Sequence, residues 1–330
     1  MKKTPSSCSL EKTKQIKTQS SNISNPKKLT TFIMGTETSV KERYAAAAEK
    51  QEAALCCPVD YDAQYLKAIP TEVIEKDYGC GDPSKWVRPG ETVLDLGSGT
   101  GKICFIASQV VGPSGKVIGV DMTDAMLEVA RRNAPIVAEN IGHANVEFRK
   151  GRIQDLALDL NLLGNHLISH PITDANSWLD TEAHISKLRR EKPLIASESI
   201  DVVVSNCVLN LVEAELKPQL FRELFRVVKE GGRAVISDIV SNQPVPAHLQ
   251  QDEALWSGCI SGALTEIEFL EAFTGAGFSS AEFVKYESEP WQIIEGIEFR
   301  SVTVQAGKGI TSLADPASKD TACCTTDSSC

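Results

Sequence analysis

The chain has 330 residues, 42% hydrophobic and 24% charged, the balance of a globular protein with room for a sizeable core. No run of about 18 apolar residues occurs, so no membrane span is expected. The net charge of −10, from 34 basic and 44 acidic residues, argues against a nucleic-acid partner.

The charge is unevenly placed: residues 1–33 hold seven Lys and one acid, which leaves −16 for the remainder. That stretch has six Ser, five Thr and few large apolar residues, so residues 1–37 are expected to form a disordered basic tail. It lacks Arg and an amphipathic face, and so reads as a dispensable tail rather than a transit-type peptide, with Met34 an alternative start. Residues 38–90 should form an N-terminal helical segment. Residues 38–54 are Ala-rich and charged, and the apolar positions of residues 60–77 fall at helical spacing until Pro70 breaks the run.

From there strands and helices alternate. Thr92 to Leu96 is a short apolar strand that runs into Gly97-Ser98-Gly99-Thr100-Gly101 and a helix from Lys102 to Val111. Lys116 to Asp121 is a second strand, and Thr123 is placed to cap a helix that reaches about Asn140 and stops at Gly142. Val146 to Arg149 and Ile200 to Ser205 are the third and fourth strands. Pro218 lies in the opening turns of a helix that Gly231-Gly232 should stop, and Arg233 to Asp238 is the fifth strand. This alternation predicts an α/β, Rossmann-like parallel sheet with helices on both faces over residues 91–240. The stretch between strands three and four is too long for an ordinary connection and reads as an insertion at about 157–195, with helix over 175–190. Residues 241–307 form a C-terminal region. It is helical over 241–277, with a capping box at Thr265 and Glu268, and closes with an antiparallel pair at 281–287 and 298–305. Residues 308–330 are a small, polar, Cys-containing tail.

A Gly-x-Gly-x-Gly loop between strand and helix lets the backbone approach a ligand closely, and the helix start adds oriented N–H groups. Asp121, at the end of the second strand, is placed to accept both hydroxyl protons of a ribose. The loop departs from the dinucleotide pattern Gly-x-Gly-x-x-Gly. Asp95, two residues before Gly97, would repel a pyrophosphate and favour a cationic ligand. S-adenosylmethionine carries an ammonium and a sulfonium and no phosphate. The segment VLDLGSGTGK…VIGVDM resembles motifs I and II of class I S-adenosylmethionine-dependent methyltransferases. That resemblance implies that Asp95, Gly97, Ser98, Gly99, Thr100, Gly101 and Asp121 hold the cofactor. It further implies Met122 beside the adenine, Gly151, Arg152 and Ile153 on its other side, and Ser205 and Asn206 near the reacting methyl.

The ten Cys are too sparse for a disulfide scaffold and no signal-peptide core precedes them, so reduced thiols in a cytoplasmic setting are expected. Cys207 follows the fourth strand, where parallel sheets bind ligands. Cys80 and Cys259 each follow a Gly, which suggests open loops. Three thiols from three segments would make a soft trigonal site. The alternatives are small buried hydrophobes or a zinc site, although no His flanks any of the three.

The pieces Tyr78-Gly79-Cys80-Gly81, Ser205-Asn206-Cys207-Val208-Leu209-Asn210-Leu211 and Cys259, 52 residues after Cys207, together resemble the arsenite S-adenosylmethionine methyltransferases. The resemblance implies that Cys80, Cys207 and Cys259 bind As(III), supplied as thiol complexes of arsenite or methylarsenite. It also implies that Cys56 or Cys57 takes part in disulfide chemistry, with glutathione or thioredoxin as reductant. Cys323, Cys324 and Cys330 resemble the Cys-rich tails of some members. Thiolate formation calls for lowered pKa values. A monomer is expected. Methylation of an organic metabolite and passive binding of a thiophilic metal remain competing readings.

Overall fold

The computed structural model describes residues 26–49, 59, 61–76, 78–252, 255, 256 and 258–309, with side chains from Glu37 onward. Its frame is one mixed sheet of eight strands. The first half is β1 (Thr92–Leu96), β2 (Lys116–Asp121), β3 (Val146–Lys150) and β4 (Ile200–Asn206). The second is β5 (Val228–Ser241), β6 (Ser280–Tyr286), β7 (Gln292–Ile294) and β8 (Ile297–Gly307). The order is β3-β2-β1-β4-β5-β8-β6, with β7 added to β8. β1 to β5 run parallel, and β8 pairs antiparallel with β5, β6 and β7.

Helices α1 (Pro26–Glu49), α2 (Ala63–Leu66) and α3 (Thr71–Glu75) precede the sheet. α4 (Lys102–Val111), α5 (Asp124–Ile141), α6 (Leu160–Ser169), α7 (Ala175–Glu191) and α8 (Lys217–Val227) link its parallel strands. α9 (Ala247–Gln250) and α10 (Glu266–Ala276) follow β5. None of the described helices is long and apolar enough to cross a membrane.

Alternation along each strand divides the core between the two faces. Leu94, Leu96 and Val203 point to one side, where they meet Leu220, Leu224 and Phe273. Val93, Val202 and Val204 point to the other, against Ile103, Ala107 and Val111 of α4. Burial on both faces is why these strands read as continuous apolar runs.

Three local details differ from the expectation. α1 begins at Pro26, inside the stretch expected as tail, since Pro suits the first helical turn and the residues up to Ala48 contain no second Pro. α8 stops at Val227 rather than at Gly231-Gly232: Val228 is already extended (ψ 132°) and fully buried in β5. Thr123 precedes α5 without a side-chain cap, while the Thr265–Glu268 capping box of α10 forms. The 157–195 stretch folds as the α6–α7 hairpin, joined to the body where Asp155 pairs with Arg189 and where Leu194 and Ile195 enter the core. The expectations for Cys56, Cys57, Cys323, Cys324 and Cys330 fall outside the described residues.

Candidate active site

Strand order reverses between β1 and β4, so a crevice opens past their C-terminal ends. Register pairs Leu96 with Ser205, which sets the loop after β1 beside the segment after β4. The β1 loop turns through left-handed backbone at Gly97 (φ 67°), Gly99 (φ 51°) and Gly101 (φ 94°). A Cβ on Gly97 would sit 2.5 Å from the Val208 side chain, so close approach of the two loops needs glycine there.

Asp121 steadies this loop from β2. One carboxylate oxygen accepts from Gly99 N at 2.9 Å and the other from Thr123 N at 2.8 Å. Burial nonetheless raises the pKa of its carboxyl. Asp95 is buried and accepts a hydrogen bond from the Cys104 thiol at 3.2 Å.

The crevice is a cavity lined by Asp95, Gly97, Ser98, Gly99, Thr100 and Asp121. Met122, Gly151, Ile153, Asn206 and Cys207 also reach it. Three expected residues do not. Ser205 is fully buried with its hydroxyl donating to Leu96 O at 3.1 Å, and Gly101 starts α4 packed against Phe148 and Phe105. The Arg152 side chain also turns away, to pair with Glu37 of α1 through Nε at 2.8 Å. α1 itself was not anticipated as a wall: Glu37, Val40 and Tyr44 close one side of the cavity.

The lining suits a polar, cation-bearing ligand. Four acids (Glu37, Asp95, Asp121, Glu213) face it against one Lys (Lys76), with Glu37 paired to Arg152. The buried hydroxyl of Ser98 has no hydrogen-bond partner among the described atoms, and a Cβ at Gly99 would meet only open space.

At the same rim three loops bring Cys80, Cys207 and Cys259 into one buried cluster with Ile239, Ile260 and Phe299. The Cys80 and Cys207 sulfurs and an Asp238 carboxylate oxygen lie within 4.8 Å of one another. Cys259 Sγ lies 2.9 Å from Cys207 O, donating to it, and Tyr44 Oη stands 4.0 Å from Cys259 Sγ. Cys207 (φ 60°) and Cys259 (φ 65°) both hold left-handed backbone, which is strained for a side chain of this kind.

Cys80 and Cys207 have raised rather than lowered pKa values. Cys207 is held well above the ordinary range by hydrogen bonds with the Cys259 and Cys80 thiols and by burial. Burial raises Cys80, with Asp238 and Cys259 adding to it. Asp238, read in the sequence only as the end of the fifth strand, is pushed up to about 6 by burial, although it accepts from Leu209 N (2.9 Å), Asn210 Nδ2 (2.8 Å) and Ile239 N (2.8 Å). Lys217, also unforeseen, is buried, drawn down to about 8 by desolvation, and donates to Gly262 O. A lone acid inside the apolar run Arg233 to Val240 was the signal available for Asp238.

A family profile described as "Methyltransferase domain" matches residues 88–277. An arsenite methyltransferase of Halobacterium salinarum is 38% identical over 224 residues, covering 67% of this chain and 46% of that protein. One from Aquipseudomonas alcaligenes is 35% identical over 244 residues, 73% of this chain and 60% of the relative. The chain thus spans about half the length of the curated relatives it matches. The crystal structure of an arsenic (III) S-adenosylmethionine methyltransferase from Chlamydomonas reinhardtii superposes with a TM-score of 0.59 at 28% identity, over 76% of this chain and 75% of that one.

Proposed function

The chain belongs to the class I methyltransferase family, and from that premise we propose that it methylates trivalent arsenic held by the sulfurs of Cys80, Cys207 and Cys259. The observation that carries this reading is the convergence of three thiols from three distant segments in one buried cluster, whose Cys207 lines the β1–β4 crevice. An organic acceptor would call for a base beside Asn206 and Cys207; none of the five His stands in that segment, and the nearby Asp238 carboxylate is already engaged by Leu209 N, Asn210 Nδ2 and Ile239 N.

S-adenosylmethionine, when bound, supplies an electrophilic methyl on a sulfonium sulfur. The orphaned Ser98 hydroxyl, the open Gly99 backbone, and Asp95 and Asp121 are the residues that would hold it. The acidic lining favours a ligand of net positive charge.

Capture of arsenite by thiols needs no prior ionisation. Each As–OH exchanged for As–S releases one water, the thiol proton leaving with the hydroxide. Three such exchanges consume three thiol protons and need no base. Soft sulfur donors match a soft, thiophilic centre. Three sulfur ligands leave the lone pair on arsenic, so no proton has to be removed from the acceptor either. Catalysis then rests on holding the acceptor at near-attack distance, a contribution on the order of 7–11 kcal/mol at best. Methylation raises arsenic from the trivalent to the pentavalent state, and two electrons from thiols, those of glutathione or thioredoxin, restore it. Such a reaction serves arsenic detoxification in a reducing cytoplasm.

The test is incubation of the purified protein with arsenite, glutathione and S-adenosylmethionine, followed by chromatographic arsenic speciation. Methylated arsenic should appear only when the methyl donor is present. Its absence, with arsenite still bound, would assign the chain to metal sequestration.

A further inference from the structure

The three cysteines are separated by more than a hundred residues in one case and about fifty in the other, and two of them sit on strained backbone. Strain of this kind persists only where the surroundings over-determine it. Two asparagines four residues apart, Asn206 and Asn210, straddle Cys207. Both are buried, at 7% and 4% exposure.

Each holds a different cysteine loop by its backbone. Asn206 Oδ1 accepts from Cys80 N and from Gly81 N, both at 3.0 Å, while its Nδ2 donates to Gly81 O at 2.7 Å and to Tyr61 Oη at 3.1 Å. Asn210 Nδ2 donates to Cys259 O at 3.1 Å, to Asp238 Oδ1 at 2.8 Å and to Ile239 O at 2.7 Å. The two joints share a second feature. A Cβ on Gly79 would lie 2.1 Å from Asn206 Nδ2, and a Cβ on Gly262 would lie 2.0 Å from Asn210 O. Each asparagine therefore approaches its loop through a gap that only glycine leaves.

We propose that Asn206 and Asn210 are positioning residues for the thiol site: Asn206 brings the Cys80 sulfur to Cys207, and Asn210 brings the Cys259 sulfur. Asp238 orients the Asn210 amide and fixes Leu209 N, so the turn after Cys207 and the Cys259 loop move as one unit. The assignment to arsenic coordination rests on the function proposed above; the assignment to loop positioning does not.

Two readouts separate them. The first is alkylation of the substrate-free protein by iodoacetamide, followed by peptide mass spectrometry. Asn210→Ala should speed labelling of Cys259 on the order of tenfold, the effect of one lost buried hydrogen bond, and leave Cys80 within about twofold. Asn206→Ala should do the reverse. The second is the number of sulfurs around bound arsenite by X-ray absorption, which should fall from three to two in each variant. If an asparagine variant fails to fold, Gly262→Ala and Gly79→Ala crowd the same joints and should reproduce the Cys259 and Cys80 patterns respectively. Equal labelling of both cysteines in all variants, or three sulfurs retained throughout, overturns the positioning roles. A wild-type protein with fewer than three sulfurs on arsenic overturns the function instead, while the labelling pattern still decides the positioning.

Discussion

The cofactor end and the thiol end of this molecule share one rim of one sheet, yet they are held by different means. The cofactor end is a strand, a glycine loop and a helix in immediate succession, steadied by Asp121 through Gly99 N and Thr123 N. Its geometry follows from local backbone, because glycine at positive φ and a helix start are consecutive features of the chain. The thiol end has no continuous backbone of its own. It is assembled from residues 79–81, 206–210 and 258–262 by side chains that reach across to the main chain of another loop. A site made by succession tolerates loss of a single long-range contact, and a site made by reach does not.

Substitutions at the two ends should therefore separate in what they disturb. The largest effect is expected for Cys207→Ser, which removes the central sulfur. Arsenite methylation should fall by more than about a hundredfold, since a hydroxyl is a hard donor, with S-adenosylmethionine affinity by calorimetry within about threefold. Arsenic speciation checks the first half, and full retained activity would break the contrast. Next comes Gly97→Ala, where a Cβ would meet Val208 at 2.5 Å on backbone at φ 67°. It should cost about 3 kcal/mol in urea unfolding, because crowding and an unfavourable φ add. This joint belongs to both ends, so it should weaken methyl-donor and arsenite binding together.

Asp121→Asn keeps the shape and removes the charge. Loss of charge-assisted hydrogen bonds of about 2 kcal/mol should weaken methyl-donor binding some thirtyfold, with arsenite affinity unchanged by intrinsic fluorescence titration. The smallest effect lies behind the cofactor end, where Glu72 of α3 meets Arg132 of α5 and Lys76. Its carboxyl is held at about 2 by hydrogen bonds from Arg132 and then Lys76. A depressed folded-state value contributes stability that is present above the usual 4.5 and lost as pH falls towards 2. The side chain is 34% exposed, so the contribution is less than about 1 kcal/mol. Glu72→Gln should flatten the acid limb of a melting-temperature profile by that amount and leave neutral-pH activity unchanged.

The same difference explains what could be read in advance. Strands β1 to β5, the glycine loop and Asp121 were legible because each is a short-range pattern: apolar runs, turn glycines and an acid at a strand end. Cys80, Cys207 and Cys259 were legible as chemistry, and Gly79 before Cys80 hinted at a loop. Gly101 is expected to hold the cofactor and Ser205 to lie near the reacting methyl; in the structure the Ser205 hydroxyl donates to Leu96 O and Gly101 packs against the Phe148 and Phe105 rings. Asn206, read as a cofactor contact, lines the cavity and also grips the Cys80 loop. Nothing local to α1 announced that Tyr44 would reach Cys259.

By itself the sequence determined a parallel sheet with a ligand loop at the end of its first strand, and a set of soft nucleophiles of which only Cys207, at the end of the fourth strand, had an address. Only the tertiary structure decided that those sulfurs meet in one buried cluster, that Asp238 lies against Cys80 and Cys207, and that the buried Lys217 holds Gly262 O of the Cys259 loop. Backbone conformation is set mainly by neighbours in the chain, whereas desolvation and the contacts between distant loops exist only once the chain has closed around them.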